Sequence, residues 1–295
     1  MKITLTGSLG NISKPLAKKL INNGHLVTII SSNSDKAPQI EALGAKAAIG
    51  SITDRSFLTE AFAGADLVYT MVPPNFGANN LYQYITGTGQ NYAEAIKLSG
   101  VTRVVNLSSM GAHLESAPTP IAAAAEVERT LNKLDNVAIK HLRCPFFFVN
   151  YYGLISMIKN MGILGSNYPG DTRMLLVHPQ DIAAAAAEEI SNGFTGKSIR
   201  YVVSDQSTPQ QVATVLGTAI GQPGLKWVEF TDEQALQGII QSGVPAEIAK
   251  SFVETGTFLR SGQLWEDFDA QRTPVTGITK LEYFAKEFAD KYKNG

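Results

Sequence analysis

Over its first two hundred residues the chain alternates short β-rich runs with longer stretches of helical periodicity, and this alternation restricts the fold more than any other feature. Residues 3–6, 25–30, 45–49, 66–72, 101–107 and 138–142 read as strands. Between them, 11–23, 35–43, 54–62, 80–99 and 121–134 read as helices, with Ile12, Leu16, Leu20 and Ile21 at helical spacing in the first. Gly24 suits its C-terminal stop, and Asp54 is a good N-cap for the third. Gly87 and Gly89 weaken the first half of the helix at 80–99. Strands joined by crossovers of a dozen or more residues imply a doubly wound α/β fold, a parallel sheet with helices on both faces and right-handed connections.

After Pro145 the rhythm loosens into Phe146-Phe147-Phe148, Tyr151-Tyr152 and a glycine-punctuated stretch to Gly170. An alanine-rich helix opens at 178–181, with Asp181 expected as its N-cap, and 198–203 reads as one more strand. From Thr208 the chain is mostly helical, with a short extended piece at 227–230. The expected organisation is a first domain over 1–150, to which 175–204 returns a strand, and a smaller, mostly helical C-terminal lobe from 151–174 and 205–295. Residues 252–264, with Thr255-Gly256-Thr257 and Ser261-Gly262, read as a surface loop, either an inert one or a mobile lid.

Composition removes several function classes. With 25 basic and 26 acidic residues the formal charge is −1, which offers no basic footprint for nucleic acid or anionic lipid. No window approaches the ~18 apolar residues of a membrane span, and the N-terminal run is too short for a signal peptide. The lone Cys144 cannot form an intrachain disulfide and reads as a small buried apolar group. His25, His113, His141 and His178 lack metal-ligand spacing, so no metal is expected. A cytoplasmic protein acting on a small molecule is the expectation.

The first strand runs straight into Gly7-Ser8-Leu9-Gly10-Asn11-Ile12-Ser13, a Gly-x-x-Gly-x-x-Ser turn that opens a helix. A dinucleotide pyrophosphate needs close backbone approach, which missing Cβ atoms permit, and free N–H groups at a helix start. Gly7, Leu9, Gly10, Asn11 and Ile12 are therefore candidate cofactor contacts, with Ser13 as the third small residue where glycine is usual. An ordinary tight turn is the plain alternative. At the end of the second strand, Ser31-Ser32-Asn33-Ser34-Asp35-Lys36 places no carboxylate at the strand end itself. Ser31, Ser32, Asn33 and Lys36 suit a ribose 2′-phosphate, so NADP is favoured over NAD; the other reading is a solvated polar turn.

With this glycine pattern the chain resembles the NmrA-like family, an atypical branch of the short-chain dehydrogenase/reductases, over nearly its whole length. The matching pieces, in order, are Thr6-Gly7-Ser8-Leu9-Gly10-Asn11, Gly50-Ser51-Ile52-Thr53-Asp54, Asn106-Leu107-Ser108-Ser109-Met110-Gly111, the stretch Leu142-Arg143-Cys144-Pro145-Phe146-Phe147-Phe148-Val149-Asn150, Pro179-Gln180-Asp181-Ile182-Ala183, and Arg272-Thr273-Pro274-Val275-Thr276. The resemblance implies a Rossmann domain with the adenine near Ser51, Met71, Val72 and Pro73, although family members usually have an acidic residue where Ser51 stands. It places the nicotinamide near Ser108, Pro145 and Phe148, and a substrate pocket at Ser109, His113, Phe147, Asn150 and Tyr151. Phe146 to Phe148 otherwise read as core, and His113 as a solvent-facing loop residue.

Relatives that reduce ordinary carbonyls carry Tyr-x-x-x-Lys after the fifth strand, whereas this chain has no tyrosine between Tyr92 and Tyr151. Reduction of a simple ketone without an acid forms a strongly basic alkoxide. A quinone yields a phenolate-type anion, with a pKa of roughly 10, and escapes that constraint. Three readings follow: an NADPH-dependent quinone reductase, similar to bacterial NAD(P)H:quinone oxidoreductases of the family; a non-catalytic NAD(P)(H)-sensing regulator; and, third, a sugar-nucleotide epimerase. Glu126 and Glu128 read as helix-surface charges, and Arg143 as a structural donor.

Overall fold

The computed structural model describes residues 1–75, 77–114 and 116–295. It divides into two compact units, one of residues 1–115, 119–143 and 182–201, the other of 116–118, 144–181 and 202–295.

The first unit begins β1 (Lys2–Leu5), α1 (Ser13–Asn22), β2 (Leu26–Ser31), α2 (Ala37–Glu41), β3 (Lys46–Ile49) and α3 (Arg55–Phe62). It continues with β4 (Leu67–Thr70), α4 (Leu81–Ser99), β5 (Arg103–Ser109), α5 (Thr119–Asn132) and β6 (Ala138–Cys144). Its seven-stranded sheet has the order β3-β2-β1-β4-β5-β6, with the strand Lys197–Tyr201 outside β6. The strands run parallel, as expected for a Rossmann fold. Every residue of β4 is buried, the pattern of a strand covered on both faces. The order reverses between β1 and β4, so the loops after these strands diverge and leave a crevice at the carboxyl edge.

Local chemistry sets the helix ends. The Asp54 carboxylate accepts from the backbone N–H of Ser56 and Phe57 at 2.9 and 3.1 Å, capping α3. Asn80 caps α4 through Gln83 N–H, and Gly100 ends it at φ +74°. α4 is unbroken despite its two glycines, contrary to the weakness read from propensity. A Cβ on Gly89 would lie 2.6 Å from a Val127 methyl, so the missing side chain lets α4 seat against α5. Tertiary packing there outweighs the helix-propensity cost of glycine, about 1 kcal/mol. One apolar cluster joins Ile30, Phe62, Val68, Tyr92, Ile96, Val127, Leu131 and Ile139 beneath the sheet.

The second unit is mostly helical but also holds two small sheets: Phe146–Phe147, Met174–Val177 and Asp205–Ser207 in one, Ile163–Ser166 and Lys226–Glu229 in the other. The strand at 163–166 falls where the sequence shows only a loosened rhythm, and the one at 174–177 follows it, where the sequence reading places no strand. Residues 252–264 are not a lid loop. They belong largely to the helix Ala246–Ser261, where Gly256 is required because a Cβ would run into the Asn167 amide. Asp181 is not an N-cap either: it sits in the first turn of the helix Pro179–Asn192. Its buried carboxylate accepts from the Ser204 hydroxyl and from the Thr279 N–H and hydroxyl, at 2.6, 3.0 and 3.0 Å.

Candidate nucleotide-binding site

The turn after β1 is built around two glycines. Gly7 has φ +88°, and a Cβ there would lie 2.5 Å from the Ser13 hydroxyl and 2.8 Å from the Met71 sulfur. Ser13 is buried and donates to the Thr6 carbonyl at 2.7 Å, pinning the start of α1 to the end of β1. A small residue is needed at 13, and serine adds a hydrogen bond that glycine cannot make. Gly10 N–H donates back to Gly7 O, and a Cβ on Gly10 would lie 2.9 Å from that same oxygen. Among the described residues no protein acceptor receives the backbone N–H of Leu9, Asn11 or Ile12. Three undischarged amides in one glycine turn at a helix start fit an anionic diphosphate, with space that two Cβ atoms would otherwise take.

The neighbouring strand ends converge on this turn. Ser8, at φ +53°, donates from its hydroxyl to Ser31 Oγ and from its N–H to Ile30 O. Ser31 is buried and spends its own proton on Asn33 O while accepting Asn33 N–H, so it braces the loop. Ser32 and Asn33 are exposed and Lys36 is half-buried. After β4, both Met71 N–H and Met71 O bond Thr6 Oγ1, and Tyr92 OH donates to Met71 O. Val72 packs against the apolar cluster with Ile52, and Pro73 is half-buried. Ser51 is exposed and its hydroxyl closes a turn with Thr53.

The end of β5 carries a buried polar network. Ser108 Oγ donates to Glu128 Oε1 at 2.5 Å, and Arg143 grips the same carboxylate through Nε at 3.0 Å and Nη2 at 2.7 Å. Glu128 and Arg143 are only 5% and 8% exposed, which corrects the expectation of a surface charge at 128. Burial pushes Glu128 upward, but Arg143, together with His141 and Ser108, holds it below the ordinary carboxylate value. A signal existed in the sequence: Glu128 lies on the helical stripe of Ile121, Ala125 and Leu131, all buried. A second chain runs from Thr70 to Asn106 Oδ1, from Asn106 Nδ2 to His141 Nδ1, and from His141 Nε2 to Asn132 Oδ1. These partners select the neutral Nε2–H tautomer, and burial depresses the His141 pKa. Ser109 donates to the adjacent Met110 O, and His113 is exposed.

The remaining predicted residues lie in the second unit. Phe148 is fully buried and stacks on Phe284 at 5.1 Å, as core. Tyr151 is fully buried beside Phe146, and its hydroxyl has no partner among the described residues. Pro145 is buried, Phe147 half-buried and paired with Val177, and Asn150 exposed. The same unit holds an open cavity of about 470 Å³ whose lining includes Pro118, Leu236, Val253, Phe258, Asp232 and Lys250. Cys144 is buried, which pushes its thiol pKa upward. Among the described residues no cluster of three His, Cys, Asp or Glu is placed to hold a metal ion, and no helix is long and apolar enough to cross a membrane.

Comparison with known proteins agrees with this geometry. Residues 7–142 match the NAD(P)H-binding family. The chain is 22% identical over 253 residues to an NAD(P)H azoreductase of Xenophilus azovorans, covering 85% of each. It superimposes on the NADPH complex of an Escherichia coli NADPH-dependent quinone oxidoreductase with TM-score 0.82 at 20% identity, covering 97% of this chain and 99% of that one. A Citrobacter sp. triphenylmethane reductase gives TM-score 0.82 at 18% identity, covering 98% and 100%. Residues 7–142 of the first unit thus match an NAD(P)H-binding domain, and the chain shares the Rossmann fold of these reductases.

Proposed function

We propose that the protein is an NADPH-dependent reductase that delivers hydride to a flat conjugated acceptor of the quinone type. The observation that carries this reading is the glycine turn after β1, where the N–H groups of Leu9, Asn11 and Ile12 have no protein acceptor among the described residues. NADPH bound there would supply a hydride at the carboxyl edge of the sheet. Gly7, Leu9, Gly10, Asn11 and Ile12 would hold the diphosphate. Ser32, Asn33 and Lys36, with no carboxylate at the end of β2, favour a 2′-phosphate over a bare ribose.

The polarity of the β5 end supports the choice of acceptor. The Ser108 and Ser109 protons are already engaged, and α5 contains neither tyrosine nor lysine. No side chain on β5 or α5 is thus set to protonate an alkoxide. Hydride addition to a quinone gives a hydroquinone monoanion of pKa roughly 10, which water can protonate after release. The work left to the protein is positioning and exclusion of water. Names of similar proteins, which include an azoreductase and a quinone oxidoreductase, lie in the same chemical class.

The test is NADPH oxidation followed at its nicotinamide absorbance with a benzoquinone and a naphthoquinone. Saturable turnover supports the reductase. Tight NADPH binding with no turnover across a quinone and azo-dye panel would replace it with a nucleotide sensor.

A further inference from the structure

Ser108 ends β5 two strands from the phosphate turn along one carboxyl edge, in the order β5-β4-β1, which is about 10 Å at the usual strand spacing. Its residue is 7% exposed. A serine hydroxyl has one proton and two lone pairs. The proton goes to Glu128 Oε1 at 2.5 Å. Glu128 is held as a carboxylate by two Arg143 hydrogen bonds, so it has no proton to return and the direction of the bond is fixed. Among the described residues, nothing donates to Ser108 Oγ. The end of β5 therefore presents a buried oxygen with unused accepting capacity and no available proton.

We propose that Ser108 is a cofactor-positioning hydrogen-bond acceptor, locked in that polarity by the Glu128–Arg143 pair, and that it accepts the N–H of the nicotinamide carboxamide. This rests on the cofactor reading above. A serine free to rotate would donate to a developing oxyanion; here donation would require breaking a charge-assisted bond in a buried site. Of the N–H donors a dinucleotide carries, the adenine amino group belongs to the half that lies toward β2, which leaves the carboxamide for β5. An acceptor at that place orients the ring for hydride transfer without supplying an acid.

Binding of NADPH and of its reduced 3-acetylpyridine analogue, which keeps the carbonyl but has a methyl in place of the amide nitrogen, separates acceptor from donor. Wild-type protein is expected to bind NADPH about tenfold more tightly than the analogue, a difference of about 1.4 kcal/mol. Ser108→Ala should bind the two alike, with its affinity for the analogue unchanged and its melting temperature confirming a folded protein. Should that variant fail to fold, Ser108→Cys keeps the size while offering a poor acceptor, and the preference should shrink in the same way. Equal wild-type affinities, or a Ser108→Ala loss shared equally by both nucleotides, would overturn the acceptor role and leave the nucleotide site standing. Absence of binding by either nucleotide to wild type would overturn the cofactor reading and this role with it.

Discussion

Glu128 in α5 and Arg143 in β6 form a two-point ion pair, Nε to Oε1 at 3.0 Å and Nη2 to Oε2 at 2.7 Å, almost closed to solvent. Such a pair adds little net stability over an apolar substitute, yet breaking it strands a charge. Arg143→Met should therefore destabilise the fold by about 3–5 kcal/mol in urea unfolding at pH 7. Because Arg143 keeps Glu128 below its ordinary value of 4.5, the wild-type contribution is complete above that pH and is lost as pH falls through the folded pKa. In Arg143→Met burial is opposed only by His141 and Ser108, so the folded pKa rises relative to wild type and the deficit narrows as pH falls from 7 toward 5. A deficit that stays constant would show that the lost energy is packing, not charge.

His141 gives a second pH dependence of the same sign, at higher pH. Its pKa is lowered, chiefly by burial, so the unfolded chain binds a proton near 6.5 that the native state resists. Stability from this group is present above pH 6.5 and declines as pH falls from there toward the folded pKa. His141→Gln keeps a donor and an acceptor and should flatten the stability profile between pH 7.5 and 5.5. An unchanged slope would mean His141 is not the group that titrates.

Tyr151 carries a buried hydroxyl without a partner among the described residues. Removing it deletes an unsatisfied polar group and no hydrogen bond, so Tyr151→Phe should change stability by less than about 1 kcal/mol, toward greater stability. A loss of 2 kcal/mol or more on chemical denaturation would place a bound water or ligand on that oxygen.

Gly89→Ala tests the seat of α4 on α5. Alanine gains helix propensity, but its Cβ meets Val127 at 2.6 Å, and the overpacking should win by about 1–3 kcal/mol. Pairing it with Val127→Ala should recover part of the loss, as expected of residues in contact.

The sheet was legible because its strands are short apolar runs separated by capped helices, and Asp54, Gly7 and Gly10 each carry a local signal that needs no tertiary partner. The glycines of α4 misled in part because propensity is local, whereas the reason for Gly89 is a methyl group on another helix. Asp181 has the chemistry of a cap, but its partners Ser204 and Thr279 lie 23 and 98 residues away. Glu128 was misread because a charged residue in a helix is usually solvated, although its position on the apolar stripe told otherwise. In the second unit the strand Ile163–Ser166 pairs with Lys226–Glu229, some sixty residues on, and such distant pairing leaves little trace in local pattern.

The central claim is that backbone amides after β1 hold a dinucleotide diphosphate. Calorimetric titration of NADPH into wild type and Gly10→Asp tests it most directly. The account predicts one saturable site in wild type, weaker binding of NADH, and at least a hundredfold loss in Gly10→Asp, about 2.7 kcal/mol, because that carboxylate enters the diphosphate's space. Equal affinities for wild type and Gly10→Asp, or no binding by wild type, would contradict it.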